Sequence, residues 1–207
     1  MPQDKSLFIY GSLFHRFLDP PLSVNRRVVI DFIPDGSSVI DIACGTGQLC
    51  FELRKIKHCR VVGIDLSMRM LDFARKTNPY PDISFVHEDA EDLHTFEDNS
   101  FDFATMLMIM HELQNTQQVS VLKEALRIAR QGIIIDSVVP LPKNAEGIGY
   151  RVVEATVGHD HYPNFKAFLA KGGIRGILQE SGLQVNIDYS SVFWQKCREI
   201  IVVSRQH

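Results

Sequence analysis

An α/β fold is predicted, with a seven-stranded, mostly parallel sheet, a reversed C-terminal strand and helices on both faces. Three observations predict it. Short apolar, β-branched runs alternate with helical repeats from Ser38 to Asp136, the pattern of successive βαβ units. The run Phe101–Met110 is almost continuously apolar, as a strand buried on both faces of a parallel sheet must be. The last two runs, Gln184–Val192 and Arg198–Ser204, are joined by a turn with no helix between them, so they pair antiparallel.

The 207 residues suit a single domain, 1–207, that buries roughly 70% of its unfolded surface. Residues 1–34 form an N-terminal helical cap, and residues 139–163 a variable, lid-like insertion. Hydrophobic residues at 45% and charged residues at 23% are ordinary for a soluble globular chain. A net charge of −3 and no Lys/Arg run give no electrostatic reason to expect a nucleic-acid partner. No apolar stretch approaches the roughly 20 residues of a membrane span, and Met-Pro-Gln-Asp-Lys-Ser lacks the apolar run of a signal peptide. A cytoplasmic location is expected, as a monomer or homodimer. Four cysteines (Cys44, Cys50, Cys59, Cys197) show neither C-x-x-C nor zinc spacing, so they read as reduced thiols.

In order along the chain, Leu7–Tyr10 and Leu13-Phe14 are apolar and aromatic. Pro20-Pro21 opens a helix over 22–33 that Pro34-Asp35-Gly36 stops. Val39-Ile40-Asp41-Ile42 reads as a buried strand, broken by Gly45-Thr46-Gly47 and followed by a helix with Leu49, Cys50, Leu53 and Ile56 on one face. A strand, a glycine turn and a helix in that order put backbone N–H groups and a positive helix end beside a ligand; the bland alternative is an ordinary βα turn. Arg60–Asp65 is the second strand, and Asp65 lies 20 residues after Gly45. A carboxylate there can accept hydrogen bonds from a ribose diol. A dinucleotide fingerprint wants a third glycine where Cys50 stands, which counts against a nicotinamide-dependent oxidoreductase.

Ser67 is placed to cap a helix over 68–77. Ile83–Val86 is the third strand, with Asp89-Ala90 at its tip. Phe101–Met110 is the fourth strand, and His111 follows at its carboxyl end, where open α/β sheets bind ligands. The readings of His111 are a capping or hydrogen-bonding residue and a catalytic base. A helix over 116–130 is broken by Gly132, and Ile133–Asp136 is the fifth strand. Residues 144–157 suit a helix. His159-Asp160-His161-Tyr162-Pro163 then reads either as an exposed loop or as a substrate-facing lid. No metal is assigned: His87-Glu88-Asp89 alternates sides, and histidines at 159 and 161 would need ligands from elsewhere. A last helix capped by Asn164 breaks at Gly172-Gly173 and ends at Gly182.

Four blocks carry a family resemblance. Asp41-Ile-Ala-Cys-Gly45-Thr-Gly47, Val62-Gly-Ile-Asp65-Leu-Ser-Met-Arg-Met-Leu71, Phe85-Val-His-Glu-Asp89-Ala90-Glu-Asp-Leu93 and Phe101-Asp102 through His111 resemble, in order and spacing, the motifs of the class I S-adenosylmethionine-dependent methyltransferases of small-molecule type, whose sheet is Rossmann-like. Two positions depart: Ala43 stands where the first motif glycine is usual, and Arg130-Gln131-Gly132 replaces a Lys-Pro-Gly-Gly turn. The resemblance implies S-adenosyl-L-methionine as cofactor, with S-adenosyl-L-homocysteine as product. It implies a cofactor site of Asp41, Ala43, Cys44, Gly45 and Gly47 for the methionine end, Asp65 for the ribose, and Asp89 and Ala90 for the adenine, with Leu66, Met70 and Met106 also part of the site. It also places Tyr10 across the ligand mouth, so that Tyr10, His111 and His161 are the candidate catalytic residues. The acceptor implied is a small or lipid-like molecule. The Asn/Asp-Pro-Pro-Tyr motif of the base and glutamine N-methyltransferases is absent after the fourth strand, where Met106-Leu-Met-Ile stands. A non-catalytic cofactor-binding subunit is the alternative within the family.

Overall fold

The computed structural model of the protein describes residues 19–156 and 161–206. Helix α1 (Asp19–Phe32) leads into β1 (Ser38–Ile42), α2 (Gln48–Lys57), β2 (Arg60–Asp65), α3 (Met68–Thr77) and β3 (Ser84–His87). Then come β4 (Phe101–Leu107), a 3-10 turn (Met110–Glu112), α4 (Asn115–Ile128) and β5 (Ala129–Ser137). Three helices follow, α5 (Ala145–Thr156), α6 (His161–Lys171) and α7 (Gly173–Ser181), and the chain closes with β6 (Val185–Phe193) and β7 (Arg198–Arg205). The strands form one sheet in the order β3-β2-β1-β4-β5-β7-β6. Pairing is parallel from β3 to β5, and β7 runs antiparallel to both β5 and β6. The predicted architecture, reversed strand included, is the one observed.

Alternation along each buried strand divides the core into two layers. Ile40, Ile42, Met106 and Ile134 face α4 and α7 through Leu122, Leu126, Ile174 and Ile177. Val39, Val61, Phe103 and Ile133 face α1, α2 and α3 through Val29, Leu53, Leu71 and Ala74. The strand order reverses between β1 and β4, whose carboxyl ends sit side by side (Ile42 opposite Met106). In open α/β sheets that reversal leaves a crevice for a ligand.

Several boundaries differ from those expected. β4 stops at Leu107, because Met108 turns to φ 58° while its N–H bonds the Ile135 carbonyl at 2.8 Å; His111 therefore sits on a 3-10 turn beyond the strand. Gly132 does not end a helix but lies inside β5, where a Cβ would stand 3.1 Å from Leu126 Cδ2 and 3.3 Å from Val203 Cγ2. The close approach of α4 and β7 demands the missing side chain there. The helix expected from Asn164 begins at His161, which moves His161 from a surface loop into a packed first turn. Gly172 and Gly182, at φ 97° and 67°, are the left-handed residues that end α6 and α7.

Candidate active site

Two groups of polar residues meet at the carboxyl ends of the strands. The first surrounds the turn between β1 and α2. Ala43, Gly45 and Gly47 have φ of 59°, 54° and 77°. Glycine adopts this at no steric cost, whereas for Ala43 the left-handed conformation costs roughly 1–2 kcal/mol. Gly47 is also the N-cap of α2 and offers no side-chain cap, which leaves the first N–H groups of that helix for another acceptor. The carboxylate of Asp65, at the tip of β2, accepts from Gly45 N at 2.8 Å and from Ser67 N at 2.8 Å. These bonds draw the tips of β1 and β2 into one concave wall. Burial is the main reason the Asp65 carboxyl titrates above its usual range.

Asp41 lies beneath the turn, 4% exposed. It accepts from Thr105 Oγ1 at 2.7 Å and from the Cys50 thiol at 3.6 Å. Burial outweighs those two bonds and pushes its pKa up to about 7. A carboxyl whose folded pKa exceeds its unfolded value of about 3.9 stabilises fully below the unfolded pKa, and that contribution is lost as pH rises through the folded one. Unfolding of the wild type and of Asp41→Asn should therefore diverge between about pH 4 and pH 7, by an order of 4 kcal/mol at the upper end. Denaturant titrations across that range check it; parallel curves would mean that Asp41 keeps an ordinary pKa.

The remaining expected cofactor residues separate into surface and interior. Leu66 is 50% exposed at the β2 tip, and Asp89 is exposed, its Oδ1 holding Glu91 N at 3.0 Å; Ala90 is half-buried. Cys44 is buried and its N–H is taken by the Ile64 carbonyl at 2.9 Å, so it lines the turn only by its backbone. Met70 packs inward from the first turn of α3. Met106 is fully buried among Ile40, Ile134 and the α4 side chains. Its position on β4 places it one pleat behind the crevice.

The second group lies at the carboxyl ends of β4 and β5. His111 Nδ1 is 2.7 Å from Asp136 Oδ1, and Asp136 also accepts from His111 N at 3.2 Å and Ser137 N at 2.6 Å. His161 Nε2 is 2.7 Å from Glu154 Oε2, and His111 Nε2 stands 3.7 Å from the same oxygen. All four side chains are buried. Burial opposes a charged imidazole, yet Asp136 and Glu154 together hold the His111 pKa above its ordinary value. Burial likewise opposes a charged Glu154, yet the His161 bond and the His111 charge hold its pKa at about 2. Tyr150 connects the cluster outward, with its hydroxyl 2.8 Å from Ser137 Oγ and in contact with the Arg198 guanidinium. The two groups meet at Glu112, whose charge raises the Asp65 pKa and whose carbonyl accepts from Asn164 Nδ2 at 2.7 Å.

His111 and His161 are thus brought together, their ring centroids 5.1 Å apart. Tyr10 and His159 lie outside the described residues. Sequence reasoning missed Asp136, Glu154 and Tyr150. Only Asp136 carried a signal, as a carboxylate closing the apolar run Ile133–Ile135.

Comparison with known proteins gives three results. Residues 39–132 match the family model described as a methyltransferase domain. Curated relatives include the demethylmenaquinone methyltransferases of Staphylococcus saprophyticus (37% identical over 115 residues, 53% of this chain and 48% of that protein) and Bacillus licheniformis (35% over 104 residues, 48% and 43%). The chain thus spans about half the length of the curated relatives it matches. Similar solved folds include an S-adenosylmethionine-dependent methyltransferase from Aquifex aeolicus (TM-score 0.65, 18% identity, 95% of this chain and 99% of that one). Another is the magnesium protoporphyrin IX methyltransferase of Synechocystis with bound S-adenosylhomocysteine (TM-score 0.62, 20% identity, 91% and 83%).

Proposed function

We propose, from the match of residues 39–132 to the methyltransferase-domain family model, that the protein transfers a methyl group from S-adenosylmethionine to a small, lipid-like acceptor. The observation that carries the reading is the 2.8 Å bond from Gly45 N to Asp65, which joins turn and carboxylate into one wall beside the uncapped α2. The donor set fits the cofactor. Asp65 has lone pairs for a diol, Asp41 can face an ammonium, the turn offers N–H groups, and exposed Leu66 and Met68 offer an apolar surface to a base. A sulfonium methyl is itself a strong electrophile, so this chain has chiefly to align a nucleophile with it and exclude water.

The curated relatives named above are demethylmenaquinone methyltransferases, which supports an aromatic quinol as the acceptor class. The acceptor side falls to the His111–Asp136 and His161–Glu154 pairs, and β5 beyond Gly132 and α5–α6 lie outside the family match. These pairs hold polar atoms at fixed positions behind the crevice, where they orient the acceptor and its proton.

Calorimetric titration tests the cofactor. S-adenosylhomocysteine is expected to bind and, near 100 times its Kd, to raise the melting temperature by about 5–10 °C; binding of NADH in its place would overturn the reading. Tyr10→Phe and His161→Ala should keep that affinity while lowering turnover, because alignment is felt mainly in the transition state. Normal turnover in both would put the acceptor elsewhere.

A further inference from the structure

The geometry points to a divalent metal site formed by His111, Glu154 and His161. Nothing in the cofactor reading requires it. The three side chains come from the 3-10 turn after β4, from α5 and from the first turn of α6, and each offers a ligand atom within 4.8 Å of the others. Tetrahedral zinc with bonds of about 2.0–2.1 Å sets its donors about 3.3 Å apart. The two observed separations from Glu154 Oε2, 2.7 and 3.7 Å, bracket that value, so an ion could enter with shifts of a few tenths of an ångström.

Three further features suit an ion. Asp136 takes the Nδ1 proton of His111 at 2.7 Å, which leaves Nε2 as the donor atom, the usual carboxylate–histidine support of a metal ligand. His161 Nδ1 is buried without a hydrogen-bond partner among the described residues, so the pair with Glu154 alone leaves that ring incompletely satisfied. Charge argues the same way. Asp136 and Glu154 put two buried carboxylates directly beside the two imidazoles, a negative surround that suits a cation. Two imidazoles and one carboxylate favour a borderline cation such as Zn²⁺ over Mg²⁺ or Ca²⁺, which prefer oxygen donors. Three protein ligands leave a fourth position for water or an acceptor hydroxyl, the open arrangement of reactive rather than structural zinc sites.

The test is metal binding itself, which needs no methyl transfer and so stands or falls apart from the proposed activity. Full-length protein dialysed against a chelator is titrated with Co²⁺ as a visible probe and back-titrated with Zn²⁺. One equivalent of Co²⁺ with the intense visible bands of a low-coordinate site, displaced by Zn²⁺, is expected. Glu154→Gln and His161→Ala should each weaken binding at least tenfold, and Asp136→Asn should weaken it about 10–100-fold. His87→Ala, an exposed residue of β3, should change nothing. Circular dichroism and S-adenosylhomocysteine affinity establish that each variant is folded. Wild-type protein that takes up no Co²⁺, or a spectrum that persists in folded Glu154→Gln, would overturn the assignment.

Discussion

Replacing Asp65 with alanine is expected to weaken S-adenosylhomocysteine binding by at least tenfold with the fold retained. The carboxylate stands at the tip of β2 with one oxygen on Gly45 N and the other on Ser67 N, each at 2.8 Å. Each oxygen keeps a lone pair for a ribose hydroxyl. Hydrogen bonds to a charged group contribute roughly 1.5–3 kcal/mol each, so losing two costs more than one order of magnitude in affinity. The same substitution frees the backbone of the 43–47 turn, which adds to the loss by unfixing the wall against which the ligand lies. Stability should suffer little. Asp65 is half-buried, the freed N–H groups can reach water, and removing its charge relieves repulsion with Glu112. Asp65→Asn should fall between the two. An unchanged Kd for Asp65→Ala in isothermal calorimetry would mean that the ribose is held elsewhere.

The largest effect on stability is expected from His111→Ala, a fall in melting temperature of about 6–20 °C. Asp136 is fully buried, and His111 supplies both its side-chain partner and one of its two backbone donors. Deleting one partner of a buried pair leaves an uncompensated charge and costs about 3–5 kcal/mol, and each kcal/mol moves a chain of this size by about 2–4 °C. The cavity against Phe165 and Phe168, whose rings meet His111 edge-on, adds to the loss. Adding Asp136→Asn to His111→Ala should recover part of it, because the amide carries no charge to desolvate. The double-mutant cycle measures that coupling, and a melting temperature within about 2 °C of wild type for His111→Ala would show Asp136 to be held by other groups.

The side of the molecule proposed to hold the cofactor was legible because its signals are local. A β-branched run ends in a carboxylate, then comes a turn that only small residues can make, then an amphipathic helix; β1, α2 and β2 each follow from residues that are neighbours in sequence. The proposed acceptor side was not legible for the opposite reason. Glu154 and His161 lie on two successive helices, α5 and α6, and His111 is brought to them through α6, so no periodicity records the cluster. Gly132 misled because a glycine after a helix usually ends it, whereas here close packing by Leu126 and Val203 needs the space. Met106 sits near the end of an apolar strand, as expected, with its side chain turned to the interior.

Asp41 makes the site a proton store. Near neutral pH its carboxyl is held about half protonated by the surrounding core, so, on the proposed cofactor reading, a cationic amino group arriving beside it finds a countercharge only after a proton leaves. Ligand and proton then compete for one buried oxygen pair. Below about pH 7 the apparent affinity should climb by up to tenfold per pH unit and level off above it, by the reciprocity of linked equilibria. The displaced proton should appear as a binding heat that varies with the ionisation enthalpy of the buffer, and Asp41→Asn should abolish that variation. Burial raises the pH at which this exchange is poised, and the Thr105 hydroxyl and the Cys50 thiol, which donate to Asp41, draw it back down.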